Sequence, residues 1–245
     1  WIAPDALKAI EVRVVPVGKY DAVWTSEGTM AAQKASVWAP RVALNDGPLA
    51  LGGGAKAAVL VSLGCYVSRG HKSPDKKKRN FYERQLVKVQ DTACWGMRRS
   101  KHLAAALAAA MPPPARYERA FEQTDGVAPL YVWTPVPPSD RFVCLGVACT
   151  STPSPPAADA LRCVPKAWCK PTTTEPRPLW DDVGVRRSGE PGGLWEVHPY
   201  CLLAVGEGKT PPPGPFYGLT RAHFELAPED VGDQSADLDA RWSDV

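Results

Sequence analysis

Short hydrophobic runs, rich in Val, Trp, Tyr and Leu, recur along most of this chain. Gly, Pro, Asp and Ser bound these runs. Short runs of this composition are typical of antiparallel strands, and the bounding residues are those that favour turns. The helical spacing of apolar positions is absent from these runs. The pattern therefore predicts an all-β fold of short strands.

One order of motifs occurs three times along the chain. Each copy has an aromatic residue before a turn, a strand that carries a tryptophan, and a glycine farther on. In chain order, the turn aromatic and the strand tryptophan are Trp24 and Trp38, Phe121 and Trp133, and Trp180 and Trp195. The later glycines are assigned to Leu51-Gly52, Leu145-Gly146 and Gly206. Such self-similarity predicts three copies of one structural unit.

The copies divide the chain into a single repeat domain, residues 1–245. The predicted segments are repeat one at 18–68, a basic and Ala-rich insertion at 69–114, repeat two at 115–170, repeat three at 171–225, and an acidic tail at 226–245. The insertion explains why the first two turn aromatics are 97 residues apart and the next two only 59. It contains HLAAALAAAM before three prolines. Because alanine favours a helix and proline ends one, we expect a short helix there.

Repeats that cannot close a core alone must bury their apolar faces against one another. We therefore expect the six repeated aromatics to form a repeat core rather than a ligand surface. The predicted architecture is β-prism-like, with one sheet for each copy, and the alternative is a pair of β-sandwiches. In the prism, Trp38, Trp133 and Trp195 are expected near the pseudo-three-fold axis. The turn aromatics are expected to cover the ends.

Three consecutive pieces of the chain resemble a known repeat. They are YVWTPVPPSDRFVCLGVACTSTPSPP, ALRCVPKAW and PLWDDVG. These pieces are similar to the repeat of the vacuolar protein sorting-associated protein 62 family, which also occurs in the vacuolar protein sorting 13 lipid-transfer proteins. The chain departs from that repeat at Asp140-Arg141-Phe142, where the family has Gly-Tyr, and at the third copy, which lacks the Trp-x-Pro proline.

The resemblance implies a non-catalytic adaptor or scaffold module in vacuolar sorting or lipid transfer. We expect protein partners in a larger assembly and a cytoplasmic location, peripheral to endosomal or vacuolar membranes. The resemblance carries over no active site, so no catalytic residue, cofactor or small-molecule substrate is predicted.

Known catalytic motifs are missing from the sequence. It has no Gly-x-Ser-x-Gly elbow, phosphate-binding Gly-Lys-Ser/Thr loop or His-Glu-x-x-His helix. Seven cysteines at irregular spacing favour reduced thiols. Cys144-x4-Cys149 and Cys163-x5-Cys169, with His198 and Cys201 as spare ligands, fit the usual zinc spacing poorly. No metal site is predicted, and the acidic residues Asp181, Asp182 and Glu190 are interpreted as solvated turn acids.

Charge is distributed unevenly despite a formal net charge of +3. Residues 69–101 carry eleven Lys or Arg against three acids. The densest run is Lys76, Lys77, Lys78 and Arg79. Clustered cations are attracted to anionic lipid by about 1 kcal/mol each near the surface. This run predicts anion or membrane binding. Nucleic acid would use the same charge but is not favoured, and a solvated loop is the alternative.

Two other functions stay open. A carbohydrate-binding, lectin-like module would require an exposed tryptophan beside Asp181 or Asp182, and it rests on analogy between folds alone. A structural subunit of a large assembly would use the proline-rich loops and the acidic tail to contact neighbouring chains.

Overall fold

The fold is known from a computed structural model, which describes residues 4–42, 58–74, 84–94, 100, 102–185 and 189–231. Strands dominate these residues. The helices are short: α1 (Pro4–Leu7), α2 (Leu103–Ala110) and α3 (Pro228–Val231). All strand pairs are antiparallel, as the hydrophobic pattern predicts. The predicted all-β fold is therefore confirmed, and α2 occupies the alanine-rich segment expected to be helical.

Seventeen strands form five sheets in the described part of the chain. In the first half they are β1 (Ile10–Pro16), β2 (Tyr20–Thr25), β3 (Ala35–Pro40), β4 (Ala58–Val61), β5 (Tyr66–Arg69), β6 (Gln85–Asp91), β7 (Arg116–Gln123) and β8 (Leu130–Val136). In the second half they are β9 (Phe142–Val143), β10 (Ala148–Thr150), β11 (Val164–Pro165), β12 (Cys169–Pro171), β13 (Arg177–Asp181), β14 (Gly192–Val197), β15 (Leu202–Glu207), β16 (Tyr217–Leu219) and β17 (His223–Glu225).

Three groups of three strands follow one plan. The groups are β2-β3-β5, β7-β8-β10 and β13-β14-β15. In each group the first strand has a bulge directly before its aromatic residue, at Val23, Ala120 and Leu179. The second strand places its tryptophan opposite the residue before that bulge. A bulge re-aims the following side chain, so the repeated motifs of the sequence correspond to repeated backbone geometry.

The third strands of the groups meet near their first residues. The strand register makes Cys65, Val147 and Leu203 equivalent, since each precedes the residue opposite the group's tryptophan. The Cys65 N–H donates to the Val147 carbonyl at 2.8 Å, and the Leu203 N–H donates to the Cys65 carbonyl at 2.8 Å. Backbone hydrogen bonds therefore join the three copies at equivalent positions. They support the prism-like arrangement, which stays a prediction.

The same register corrects two motif assignments. Gly206 lies two residues after Ala204 and is equivalent to Thr150, so it is not the partner of Gly146. Gly64 precedes Tyr66 by two residues, as Gly146 precedes Ala148, so Leu63-Gly64 is the partner of Leu145-Gly146. The assignment to Leu51-Gly52 was wrong, because the chain between β3 and β5 is longer and includes β4. Residues 51–52 themselves lie outside the described residues.

Gly64 allows the first two copies to approach closely. Its φ is +146°, and a Cβ atom there would lie 2.9 Å from the Gly146 Cα. Changing Gly64 to alanine is expected to lower the free energy of unfolding by about 2–5 kcal/mol, because backbone strain adds to overpacking. Urea denaturation measures this loss. Gly70 is the matched control, since its φ is +78° and a Cβ would meet nothing within 4 Å. Equal losses at Gly64 and Gly70 would contradict the close approach.

A further sheet lies outside the repeat plan. Its strand order is β17-β1-β6-β4, so it joins the amino-terminal strand, the insertion and a strand near the carboxyl end. Its apolar face and helix α2 share one core, which includes Ile10, Val12, Leu86 and Leu107. The domain boundaries predicted from the sequence are not tested by this arrangement. The structure adds a second core to the one that the copies share.

Candidate ligand-binding cavity between repeats

The six repeated aromatics are all buried, with exposed fractions of 2–8%. Trp24, Phe121 and Trp180 lie in one core to which all three copies contribute. Trp24 and Trp180 meet edge to face, with ring centroids 5.3 Å apart. These are the turn aromatics that were expected to cover the ends of the prism.

The strand tryptophans occupy the opposite positions from those predicted. Trp133 belongs to a separate small cluster, whereas its neighbour Val132 belongs to the shared core. In the same way Val37 and Leu194 enter the shared core, and the following tryptophans do not. Successive side chains of a strand point to opposite faces, so only one residue of each pair can face the shared core. The predicted placement of Trp38, Trp133 and Trp195 near the axis was therefore wrong.

The acidic residues Asp181, Asp182 and Glu190 have different surroundings. Asp182 is only 1% exposed, accepts the Gly192 N–H at 2.7 Å and accepts from Gln123 Nε2 at 2.7 Å. Asp181 and Glu190 line two different cavities. The interpretation of all three as solvated turn acids was wrong for Asp182, which connects the second copy to the third.

A cavity of about 530 Å³ lies between the first and third copies. One wall is the bulged segment 178–181 of β13 together with Trp195 of β14. Lys34, directly before β3, and Arg69, the last residue of β5, also line the cavity. Lys209, which follows β15, is the third cation of the lining. Three cations therefore line a cavity whose lining acid is Asp181. The lectin-like alternative required an exposed tryptophan beside Asp181 or Asp182, and the six tryptophans of the described residues are buried.

None of the three cations takes part in an ion pair or a side-chain hydrogen bond within the described ranges. Asp181 is engaged elsewhere: its Oδ1 accepts the Val183 N–H at 3.2 Å, and its Oδ2 is 3.5 Å from Gln33 Nε2. Among the described lining residues, three cations therefore face one carboxylate, and the balance of charge is positive.

A second cavity, of about 1040 Å³, lies between the second and third copies. Its wall is the bulged segment 119–122 of β7, which the strand register makes equivalent to 178–181. Glu190 and Glu207 stand where the first cavity has Gln33 and Arg69. Glu122 also lines it and pairs with Arg119 at 3.1 Å. Two equivalent clefts between copies thus have opposite charge.

Other clusters of reactive side chains have structural explanations. Glu196, His198 and Cys201 place possible ligand atoms within 4.8 Å of one another. Glu196, however, is 1% exposed and is already paired with Arg177 and with Arg84, the latter at 3.6 Å. Two guanidinium groups oppose the approach of a divalent cation.

The cysteines do not converge on the predicted spare zinc ligands. Cys144 neighbours Cys163, and Cys149 neighbours Cys65. A hydrogen bond to Cys163, with burial, raises the pKa of Cys144, and burial raises the pKa of Cys149. All seven cysteines lie in described ranges, and no disulfide joins them.

One serine and one histidine form a pair that the sequence did not suggest. Ser26 Oγ is 3.1 Å from His71 Nε2, a distance that suits a nucleophile and its base. Ser26 is 5% exposed, and its Oγ also accepts the Ala35 N–H at 2.9 Å. The hydroxyl therefore fixes the turn between β2 and β3, and burial denies it to a substrate.

The basic run Lys76, Lys77, Lys78 and Arg79 lies outside the described residues. The chain reaches it from Arg69, which lines the first cavity, through the exposed Lys72. Among the described residues, no helix is long and apolar enough to cross a bilayer.

Comparison with known proteins extends the description of the fold. No protein-family model and no curated protein matches the chain. The crystal structure of GNIP1Aa from Chromobacterium piscinae is similar over 97% of this chain, with a TM-score of 0.55 and 15% sequence identity. The matched region spans 40% of the GNIP1Aa chain. At this identity the likeness shows a shared fold.

Proposed function

We propose that this chain is a non-catalytic recognition module that docks on anionic membrane surfaces within an adaptor or scaffold of vacuolar sorting or lipid transfer. The supporting observation is the unpaired positive charge of Lys34 and Arg69, beside the start of the basic insertion. Lys76 to Arg79 follow Arg69 by only seven to ten residues. The charge of the insertion and the charge of the cavity thus belong to adjoining parts of the chain.

The free energy expected from four clustered cations favours binding to an anionic membrane surface. Each Lys or Arg near an anionic leaflet is worth about 1 kcal/mol, and the attraction decays within a Debye length. Four clustered cations supply about 4 kcal/mol, which is roughly three orders of magnitude in affinity. Protein partners are part of the proposal, and the proline-rich loop at Pro211 and Pro213, which lines the second cavity, is a surface open to them.

Sedimentation with phosphatidylserine vesicles tests the proposal. The wild-type chain is expected to bind, and raising the salt concentration is expected to release it. Changing Lys76, Lys77, Lys78 and Arg79 together to alanine is expected to lower vesicle affinity by at least roughly a hundredfold.

A matched variant removes the same amount of charge from other exposed positions: Lys19, Lys166, Lys170 and Arg221. This control is expected to bind nearly as tightly as the wild type. Equal losses of vesicle affinity in both variants would show that net charge, and not the run at 76–79, drives binding. Failure of the wild-type chain to bind would remove the membrane proposal.

A further inference from the structure

We propose that the cavity between the first and third copies binds a phosphate ester, either as a lipid headgroup or as a soluble molecule. The proposal deepens the proposed function, because it names a ligand for this face of the chain. It rests on Lys34, Arg69, Lys209 and Trp195, all of which line the cavity.

The second cavity acts as an internal comparison for the charge. Both clefts pack a bulged first strand against the strand ends of a neighbouring copy. The second cleft does so with Glu190 and Glu207 at its wall. Packing of the copies therefore does not require cations at Lys34 and Arg69. Both side chains are exposed and available to an anionic ligand.

Trp195 adds a buried hydrogen-bond donor without an acceptor. In the first copy the equivalent Trp38 Nε1–H donates to Ser36 Oγ at 2.8 Å, and in the second copy Trp133 Nε1–H donates to Thr150 Oγ1 at 2.9 Å. Trp195 is 5% exposed, and its Nε1 has no hydrogen-bond partner within the described residues. Trp180, which also lines the cavity, has an unpaired Nε1–H as well.

The third copy cannot supply the missing hydroxyl. Gly193 and Gly206 stand where the other copies have Ser36 and Thr150. A Cβ at Gly193 would lie 2.1 Å from the Gly208 carbonyl oxygen, and one at Gly206 would lie 2.1 Å from the Thr210 oxygen. Any side chain is therefore excluded. The Nε1–H of Trp195 is itself fully covered, so Trp195 contributes the surface of its ring, and not a hydrogen bond, to the cavity wall.

Chemistry and size together select the ligand class. Lysine and arginine bind phosphate oxygens by charge-assisted hydrogen bonds. A volume of about 530 Å³ lies in the range of small-molecule sites. A phosphorylated ring of the size of an inositol phosphate fits these requirements. Asp181, with its remaining acceptor capacity, can receive a ring hydroxyl.

Calorimetric titration with inositol trisphosphate tests the cavity directly. The wild-type chain is expected to bind and to change its tryptophan fluorescence, since Trp180 and Trp195 line the site. The double variant Arg69→Ala/Lys209→Ala is expected to bind roughly a hundredfold more weakly, at about tenfold for each charge-assisted contact.

Lys166→Ala/Lys170→Ala removes equal charge away from the cavity and is expected to leave the affinity unchanged. Absence of binding to the wild-type chain, or equal binding by the Arg69/Lys209 variant, would overturn the proposal. Vesicles with phosphatidylinositol bisphosphate, compared with soluble inositol trisphosphate, separate the two ligand sources. Tighter binding to the vesicles supports a headgroup, and equal affinity supports a soluble ester.

The membrane proposal and the cavity proposal are distinguished by different outcomes. Changing Lys76, Lys77, Lys78 and Arg79 together to alanine is expected to lower the affinity for phosphatidylserine vesicles by at least roughly a hundredfold and to preserve titration by inositol trisphosphate. Titration without phosphatidylserine binding would retain the cavity and remove the membrane surface. Binding to phosphatidylserine vesicles without titration by inositol trisphosphate would retain the membrane surface and remove the cavity proposal.

Discussion

Changing Trp180 to alanine is expected to lower the free energy of unfolding by about 3–5 kcal/mol, the cost of deleting a large buried aromatic. Trp180 is 2% exposed and lies in the core shared by the three copies. Its ring meets Trp24, which comes from the first copy. The loss is thus expected to destabilise the whole repeat domain, with a single transition in urea followed by circular dichroism.

A double-mutant cycle separates this contact from general loss of packing. Trp24→Leu and Trp180→Leu are expected to be coupled by about 0.5–1.5 kcal/mol, the usual range for an aromatic pair. Trp24→Leu and Trp133→Leu serve as the control pair, because Trp133 belongs to a different cluster. Coupling near zero in both cycles would mean that the first and third copies do not share a core.

The repeat was visible in the sequence because the three copies keep the order and spacing of their motifs although most of their residues differ. The distance from each turn aromatic through a turn to the strand tryptophan is short, so the order of motifs revealed the plan. The later glycine was harder to assign, since the chain between β3 and β5 contains an extra strand. The strand register identified Gly64 as the equivalent of Gly146. The sequence signal that could have found it is a Leu-Gly pair next to a cysteine, which occurs in both Leu63-Gly64-Cys65 and Cys144-Leu145-Gly146.

The choice between neighbouring residues of a strand could not be made from composition. In Val37-Trp38 and Val132-Trp133 both residues are apolar, and the larger one was expected to face the axis. The bulge on the first strand pairs Trp24 with Val37 and Phe121 with Val132, so each turn aromatic enters the shared core beside the valine. The tryptophan that follows the valine then points to the opposite face. Bulges leave no clear sequence mark at Val23, Ala120 or Leu179.

Non-local contacts explain what else the sequence did not show. The sheet β17-β1-β6-β4 pairs strands from the two ends of the chain with a strand of the insertion. The cavity lining likewise joins Lys34 and Arg69 to Lys209, residues separated by well over a hundred positions. None of these residues belongs to a motif, so only the folded arrangement identifies them as a group.

Changing Glu196 to leucine is expected to lower the free energy of unfolding by about 3–5 kcal/mol, because it leaves a buried guanidinium without its counter-ion. Glu196 is 1% exposed, and Arg84 is 7% exposed. Their side chains pair at 3.6 Å, and Arg177 contacts the other carboxylate oxygen. Arg84 comes directly before β6, so this ion pair connects the non-repeat sheet to the third copy.

A double variant shows whether the loss of stability comes from the guanidinium left without its counter-ion. Arg84→Met/Glu196→Leu replaces both charges by apolar groups and is expected to recover much of the lost stability, as apolar replacements of buried pairs often do. Arg116→Ala is the surface control, since Arg116 and Glu118 pair at 2.7 Å with exposed side chains and should contribute at most about 1 kcal/mol. A Glu196→Leu variant as stable as Arg116→Ala would show that Arg84 finds other partners, such as the Val67 carbonyl at 3.3 Å, sufficient for its burial.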